Sequence, residues 1–295
     1  MAVRRKSNWY IYIIAFLITM AFVLMVIFSF RWFLFPEKTE EAGLTSAGEL
    51  SDSFQPTAAD SFTILAMLAE DELSSPTLFL LTIYNAVEST VTFVPFPAGA
   101  SVGSEGRDLT NVYAAKGGAG VTSAVSDITG IGIDGYVKLT KAGFIDFSSA
   151  VGNVQFDVPK TTIISDDKQI ETINQGTQLL SSERLYKYIM YADFGNGESG
   201  RFNIIGSVLS ELVNQNYSFA DSMQLDTWAQ MLIGQNETDI TTQMYSAKKA
   251  ALLNTIMYAT SPAEYYVPYG TYGDDGSFEL SETSVITLRQ KAGLE

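Results

Sequence analysis

The chain of 295 residues contains no cysteine and no histidine. Without cysteine there is no disulfide framework, no thiol nucleophile and no thiolate metal site. Without histidine there is no imidazole base, no Ser-His-Asp triad and no histidine-held zinc. Chemistry on this chain therefore falls to carboxylates, hydroxyls, Lys and Arg, or to a hard cation held by oxygen atoms. Basic residues are also scarce: 18 Lys and Arg stand against 33 Asp and Glu, for a net charge of -15. Such a body offers polyanions no long-range attraction, which argues against nucleic acid as a partner. Three of the few cations, Arg4, Arg5 and Lys6, precede the first apolar run, and every acidic residue follows it.

That run, Trp9 to Phe30, is broken only by Thr19 and Ser29. It is long enough for a hydrocarbon core, which takes about 20 helical residues. A secretory signal would have a shorter apolar stretch with a small-residue cleavage site behind it, whereas Arg31-Trp32-Phe33-Leu34-Phe35 follow here. We expect a membrane-spanning helix over 9–35 after a cytoplasmic N-terminus of residues 1–8, with Trp9, Tyr10 and Trp32 at the interfaces. The cations on one flank and Glu37, Glu40 and Glu41 on the other put the rest of the chain outside the cytoplasm. Residues 36–60, rich in Glu, Ser, Thr and Gly, are expected to form a solvated tether, and 61–295 a folded extracytoplasmic domain.

The domain starts at Phe62-Thr63-Ile64-Leu65-Ala66. Thr77 to Tyr84 is almost continuously apolar, as a central strand is, and Thr90 to Phe96 alternates, with hairpin-length spacing between them. Leu109 to Ile128 is a helical run interrupted at Gly117, Gly118 and Gly120. The turn Gly130-Ile131-Gly132-Ile133-Asp134-Gly135 leads to a strand, Tyr136 to Thr140, a helix, Lys141 to Ala150, and an alternating strand, Val154 to Val158. The turn spells G-x-G-x-x-G, but a dinucleotide fingerprint needs a strand before it and a helix after it, and here the order is inverted, so the glycines serve the turn. Helices are expected at Phe202–Asn216, Asp221–Gln235, Asp239–Thr260 and Ser284–Lys291, with a tyrosine-bearing hairpin before the last. Ser246-Ala247-Lys248-Lys249 makes an S-x-x-K without the partner motifs of serine acylation, and we assign it to chance. The fold class is α/β: a mixed sheet of five or six strands sandwiched between helices.

One family combines these features in this order: a hairpin, a Pro-containing loop, Leu109-Thr110-Asn111-Val112-Tyr113 with Gly117-Gly118, Ile133-Asp134-Gly135-Tyr136-Val137, Gly143-Phe144, Val154-Gln155-Phe156-Asp157-Val158-Pro159, and Asn174 to Tyr188. In this, and in a single N-terminal anchor, the chain resembles the LytR-CpsA-Psr family over about Phe62 to Asn216. The resemblance implies an outward-facing, membrane-anchored phosphotransferase that moves a glycopolymer from a polyprenyl-phosphate carrier to peptidoglycan, with magnesium and several arginines about the pyrophosphate. The chain departs from that pattern where the charges belong. Ser74-Ser75-Pro76-Thr77 stands for Arg-Ser-Asp-Thr, and Phe96-Pro97-Ala98-Gly99 for Ile-Pro-Arg-Asp. Tyr188-Ile189-Met190-Tyr191-Ala192 lacks the arginines expected after the tyrosine, and of the last cluster only Arg201 matches.

The resemblance therefore implies a degenerate relative, a pseudoenzyme that binds a polyprenyl-linked lipid or an envelope protein at the membrane. The alternative is a working transferase, with magnesium as its cofactor, drawing substitute charge from Arg107 and Lys187 beside Arg201. We expect no catalytic residue and no protein-built metal site in the degenerate case. For Arg201 a structural role, pairing with Glu198 or Asp193, weighs as much as a ligand role.

Overall fold

In a computed structural model of the chain, residues 50, 54–101, 108–165, 170–195, 197–274 and 277–294 are described. Ala42 to Glu295 forms one compact unit. The expected membrane helix and most of the expected tether lie outside the described residues, as does Arg107. Among the described residues no helix is long and apolar enough to cross a membrane.

Six strands make the main sheet: β1 (Phe62–Ala69), β2 (Leu78–Asn85), β3 (Thr90–Phe96), β4 (Gly135–Thr140), and two short edge pieces among the later strands. Strands β5 (Val154–Val158), β6 (Thr162–Ser165), β7 (Ile170–Ile173) and β8 (Gly176–Leu180) lie outside it, and β9 (Glu237–Thr238) and β10 (Ala263–Tyr265) close its two edges. The order is β10-β3-β2-β1-β4-β9. β1 runs antiparallel to β2 and parallel to β4, so the sheet is mixed. The expected strand at Val154–Val158 forms, but it joins β8 in a separate two-stranded ribbon, and β6 and β7 make a second ribbon. The tyrosine hairpin is β11 (Gly270–Tyr272) with β12 (Phe278–Leu280).

Period-2 alternation sends side chains from each central strand to both faces. Ile64, Ala66 and Leu68 of β1, with Leu78 and Leu80 of β2, face one core. Leu65 and Met67, with Phe79, Leu81 and Ile83, face the other. This explains why Leu78 to Tyr84 reads as unbroken apolar sequence. The second face is covered by α1 (Leu109–Thr129) and α7 (Glu282–Lys291). The first is covered by α2 (Lys141–Val151), α3 (Ser182–Met190) and α4 (Gly197–Asn216), with α5 (Ser222–Gly234) and α6 (Thr242–Tyr258) beside them.

Local signals set the boundaries. The Asp108 carboxylate accepts from Asn111 N–H to cap α1, and Gly130 ends the helix in the left-handed region. Gly117, at φ 66 and ψ -167, kinks the helix, because that backbone region is open essentially to glycine alone. The next residue, Gly118, is small for another reason: a Cβ there would lie 2.2 Å from the Tyr136 ring. The turn glycines sit between α1 and β4, as their inverted order implies.

Candidate functional site

The segments that the resemblance singled out lie toward one end of the sheet. The β1–β2 connection carries Ser74 to Thr77 off the carboxyl end of β1, and Thr77 N–H donates to Leu68 O. Phe96 ends β3 beside it, since β3 is antiparallel to β2. α3 reaches the same end, where the Tyr186 hydroxyl donates to Glu70 at 2.7 Å. α4 runs antiparallel to β10: Asn214 bonds both polar groups of Ala263, and Gly206 packs against Tyr265. Its first turns, with Arg201, therefore lie toward the carboxyl end of β3.

Arg201 is half-buried in α4, and its Nε is buried without a hydrogen-bond partner. Burial pushes the guanidinium below its usual pKa, and the Glu198 charge opposes this. Glu198 itself accepts from the Tyr272 hydroxyl at 2.7 Å, so the carboxylate expected to hold Arg201 has another partner. Close in sequence, at the end of α3 and just after it, aromatic side chains cluster. Tyr188 and Phe194 meet edge-on at 5.0 Å, and Tyr191 and Phe194 at 5.1 Å. The Tyr188 hydroxyl is fully buried with no partner, and burial raises its pKa to about 12.

Lys187 does not join Arg201. Its Nζ lies 2.9 Å from Glu171 of β7, which Arg184 also holds at 2.9 Å. Sequence reasoning named Lys187 for its charge and missed the acceptor, which is supplied by a ribbon 16 residues earlier. Arg107 lies outside the described residues. Lys138 was also missed: it is 3% exposed, donates to Glu72 O at 2.7 Å and stands 5.1 Å over the Tyr113 ring. In the S-x-x-K segment, Lys249 pairs with Asp226 at 2.9 Å.

Carboxylates at this end are engaged by the protein. Glu70 is held below its usual pKa by Tyr186 and Lys141, and Asp71 by the Ser74 hydroxyl and nearby N–H groups. No group of three acidic side chains suited to a metal occurs among the described residues. The donors among the described residues do not make a magnesium site on their own.

A cavity of about 520 Å³ lies against the first face of the sheet. Its wall is mostly apolar, with Phe62 and Ile64 of β1, Phe147 of α2, Leu225 and Trp228 of α5 and Leu252 of α6, and Asp134, Gln243 and Lys248 also line it. That volume is in the range of sites that take small molecules. In the sequence these residues looked like ordinary core positions on amphipathic helices. Polar contacts tie α5 to its neighbouring helices: Trp228 Nε1 donates to Ala150 O of α2 at 3.2 Å, and the Tyr245 hydroxyl of α6 to Asp226 at 2.8 Å.

Residues 49–285 match the sequence pattern of the LytR_cpsA_psr family. The chain belongs to that family. No curated protein matches it. Among solved structures, a protein of Eubacterium siraeum DSM 15702 described as a transcription regulator is 25% identical with a TM-score of 0.77, over 84% of this chain and 98% of that one. TagV of B. subtilis is 19% identical with a TM-score of 0.64, over 80% and 98% of the two chains. TagT, in a structure bound to LIIa-WTA, is 19% identical with a TM-score of 0.57, over 84% and 97%. The last two likenesses are of fold. The α/β domain, the mixed six-stranded sheet and membership of the family expected from the sequence all stand.

Proposed function

We propose that this LytR_cpsA_psr protein is a single-pass membrane protein of the cell envelope, its domain outside the cytoplasm, that binds a polyprenyl-linked lipid and has lost phosphotransfer. The cavity of about 520 Å³ carries this reading, because an isoprenoid chain offers only apolar surface and most of the wall is apolar. TagT, a fold relative, is bound to LIIa-WTA, which supports a ligand of that kind. The loss of transfer rests on the charges. Negative charge grows on a leaving pyrophosphate, and one missing donor to such a group costs about 2.7 to 4 kcal/mol of transition-state stabilisation. With aromatic rings at Tyr188, Tyr191 and Phe194 and Lys187 engaged by Glu171, Arg201 is what the described candidate cations leave to meet that charge.

A second reading, a working transferase, is favoured by one observation: Arg201 Nε is buried and unpaired, as a donor kept for an oxyanion would be. The two separate in one experiment. The full chain in detergent is titrated with a polyprenyl phosphate, read by calorimetry, beside Ala229→Trp, which fills the cavity, and Arg201→Met. We expect saturable binding that Ala229→Trp abolishes and Arg201→Met leaves unchanged, because Phe62 and Lys248 set the cavity at the amino end of β1 and Arg201 lies toward the carboxyl end of β3; a ten- to hundred-fold weakening in Arg201→Met, the size of a charge-assisted hydrogen bond of about 1.5–3 kcal/mol, would favour the second reading. We expect no transfer from polyprenyl-linked glycopolymer with or without magnesium. Turnover would overturn the loss of activity, and binding untouched by Ala229→Trp would overturn the cavity.

A further inference from the structure

One end of the domain exposes large apolar side chains that its core does not need. Phe219 is 84% exposed, Met223 76%, Tyr258 69%, Val87 62% and Met257 58%. The topology gathers them. Val87 lies in the turn between β2 and β3, at the amino end of β1 and β3. Tyr84 at the end of β2 donates to Ala251 O and meets Thr255, which brings the last turns of α6, with Met257 and Tyr258, to that end. The Tyr217 hydroxyl bonds Ala259 O, which ties the segment of Phe219 to the end of α6. Met223 follows in the first turn of α5. This is the end opposite Glu70 and Ser74.

The chain also enters the domain here. Phe54 and Phe62 pack with Tyr84 and Ala86, and Lys248 of α6 holds the carbonyls of Ala59 and Ser61. Between Phe30, which closes the long apolar run, and Phe54 lie 23 residues of sequence. Such a stretch spans at most about 80 Å. We propose that this end of the domain docks on a lipid bilayer, with Phe219, Met223, Met257, Tyr258 and Val87 seated among the headgroups and upper acyl chains. The inference rests on the membrane anchoring proposed above. A tether of that length keeps the patch at high effective concentration over the bilayer, so that weak insertion suffices.

Charge does not drive the contact. Glu88 and Asp221 beside the patch are exposed, Lys291 is paired with Glu264 at 2.6 Å, and Lys248 is spent on backbone carbonyls. Docking is therefore apolar and aromatic, with Tyr258 suited to the interface, and is expected to be indifferent to anionic lipid or weakened by it.

The absence of cysteine makes the test clean, because a single introduced thiol is unique. The full chain is placed in lipid nanodiscs as Met223→Cys, Tyr258→Cys or Leu73→Cys, each carrying a nitroxide. Leu73 is 99% exposed and sits in the β1–β2 connection at the opposite end. Accessibility to oxygen is compared with accessibility to a nickel chelate. We expect labels at 223 and 258 to favour oxygen, as in lipid, and the label at 73 to favour nickel, in discs with and without phosphatidylglycerol. Equal nickel access at all three positions, with the protein still co-purifying with the discs, would overturn docking and leave anchoring intact. Protein that fails to stay with the discs would overturn anchoring and docking together. Spin–spin broadening at 223 that disappears at one copy per disc would assign the patch to a second copy and overturn the bilayer as its occupant.

Discussion

Replacing Arg201 with methionine is expected to make the protein more stable. A buried donor without a partner costs about 1–3 kcal/mol, and Arg201 Nε is such a donor. Methionine keeps most of the apolar stem and removes the guanidinium. What is lost is attraction to Glu198, which is bonded to Tyr272, and a partly solvated pair of this kind is worth about 1 kcal/mol or less. The net expectation is a gain of about 1–2 kcal/mol. For a domain of this size each kcal/mol moves the melting temperature by about 2–4 °C. Calorimetric melting of the full chain should therefore place Arg201→Met above wild type by at least about 2 °C. A second scan adds inorganic pyrophosphate. A ligand at a hundred times its Kd stabilises by about 2.7 kcal/mol, so wild type should rise and Arg201→Met should not. A variant that melts lower than wild type, and a wild type indifferent to pyrophosphate, would show that Arg201 is a structural clamp and refute the reasoning.

Two further outcomes test the fold around this site. Gly117→Ala is expected to cost about 1–3 kcal/mol in urea unfolding, through backbone strain alone, because no atom lies within 4 Å of the added Cβ; an unchanged midpoint would mean that α1 does not need its kink. Glu171 is held below its usual value of 4.5, first by the Lys187 hydrogen bond and then by Arg184. A depressed carboxylate contributes stability that is present above the unfolded pKa and lost as pH falls through the folded one. The stability difference between pH 7 and pH 3 should therefore shrink in Glu171→Gln by about 1 kcal/mol or less, and an unchanged difference would place the ion pairs outside the energetics of folding.

The parts of the fold that sequence revealed are those fixed by neighbours along the chain. The helical run from Leu109 to Ile128, the glycine turn that follows it and the alternation of Val154 to Val158 are local events, and each appears where the residues indicate. The partner of Val154–Val158 was not legible, because a strand buried on one face alternates in the same way in a ribbon as at a sheet edge. The cavity was hidden for a similar reason. Leu225, Trp228 and Leu252 carry the same apolar period whether the opposing face fills the space or leaves it open. Of the candidate cations, Arg201 was found by its place in a motif, whereas the fate of Lys187 depended on Glu171, which lies on another element. Lys138 gave no signal, since it bonds a backbone carbonyl and faces Glu237, which lies on a distant element.

The two outermost strands of the main sheet are brief. β9 has two residues and β10 three. β10 covers β3 only as far as Phe93, and two residues later Pro95 has no N–H to offer a newcomer. A sheet whose rims present so few open backbone groups cannot be lengthened by another chain laying a strand alongside it. A partner that engages this sheet must therefore be recognised through side chains rather than through a strand added to its rim.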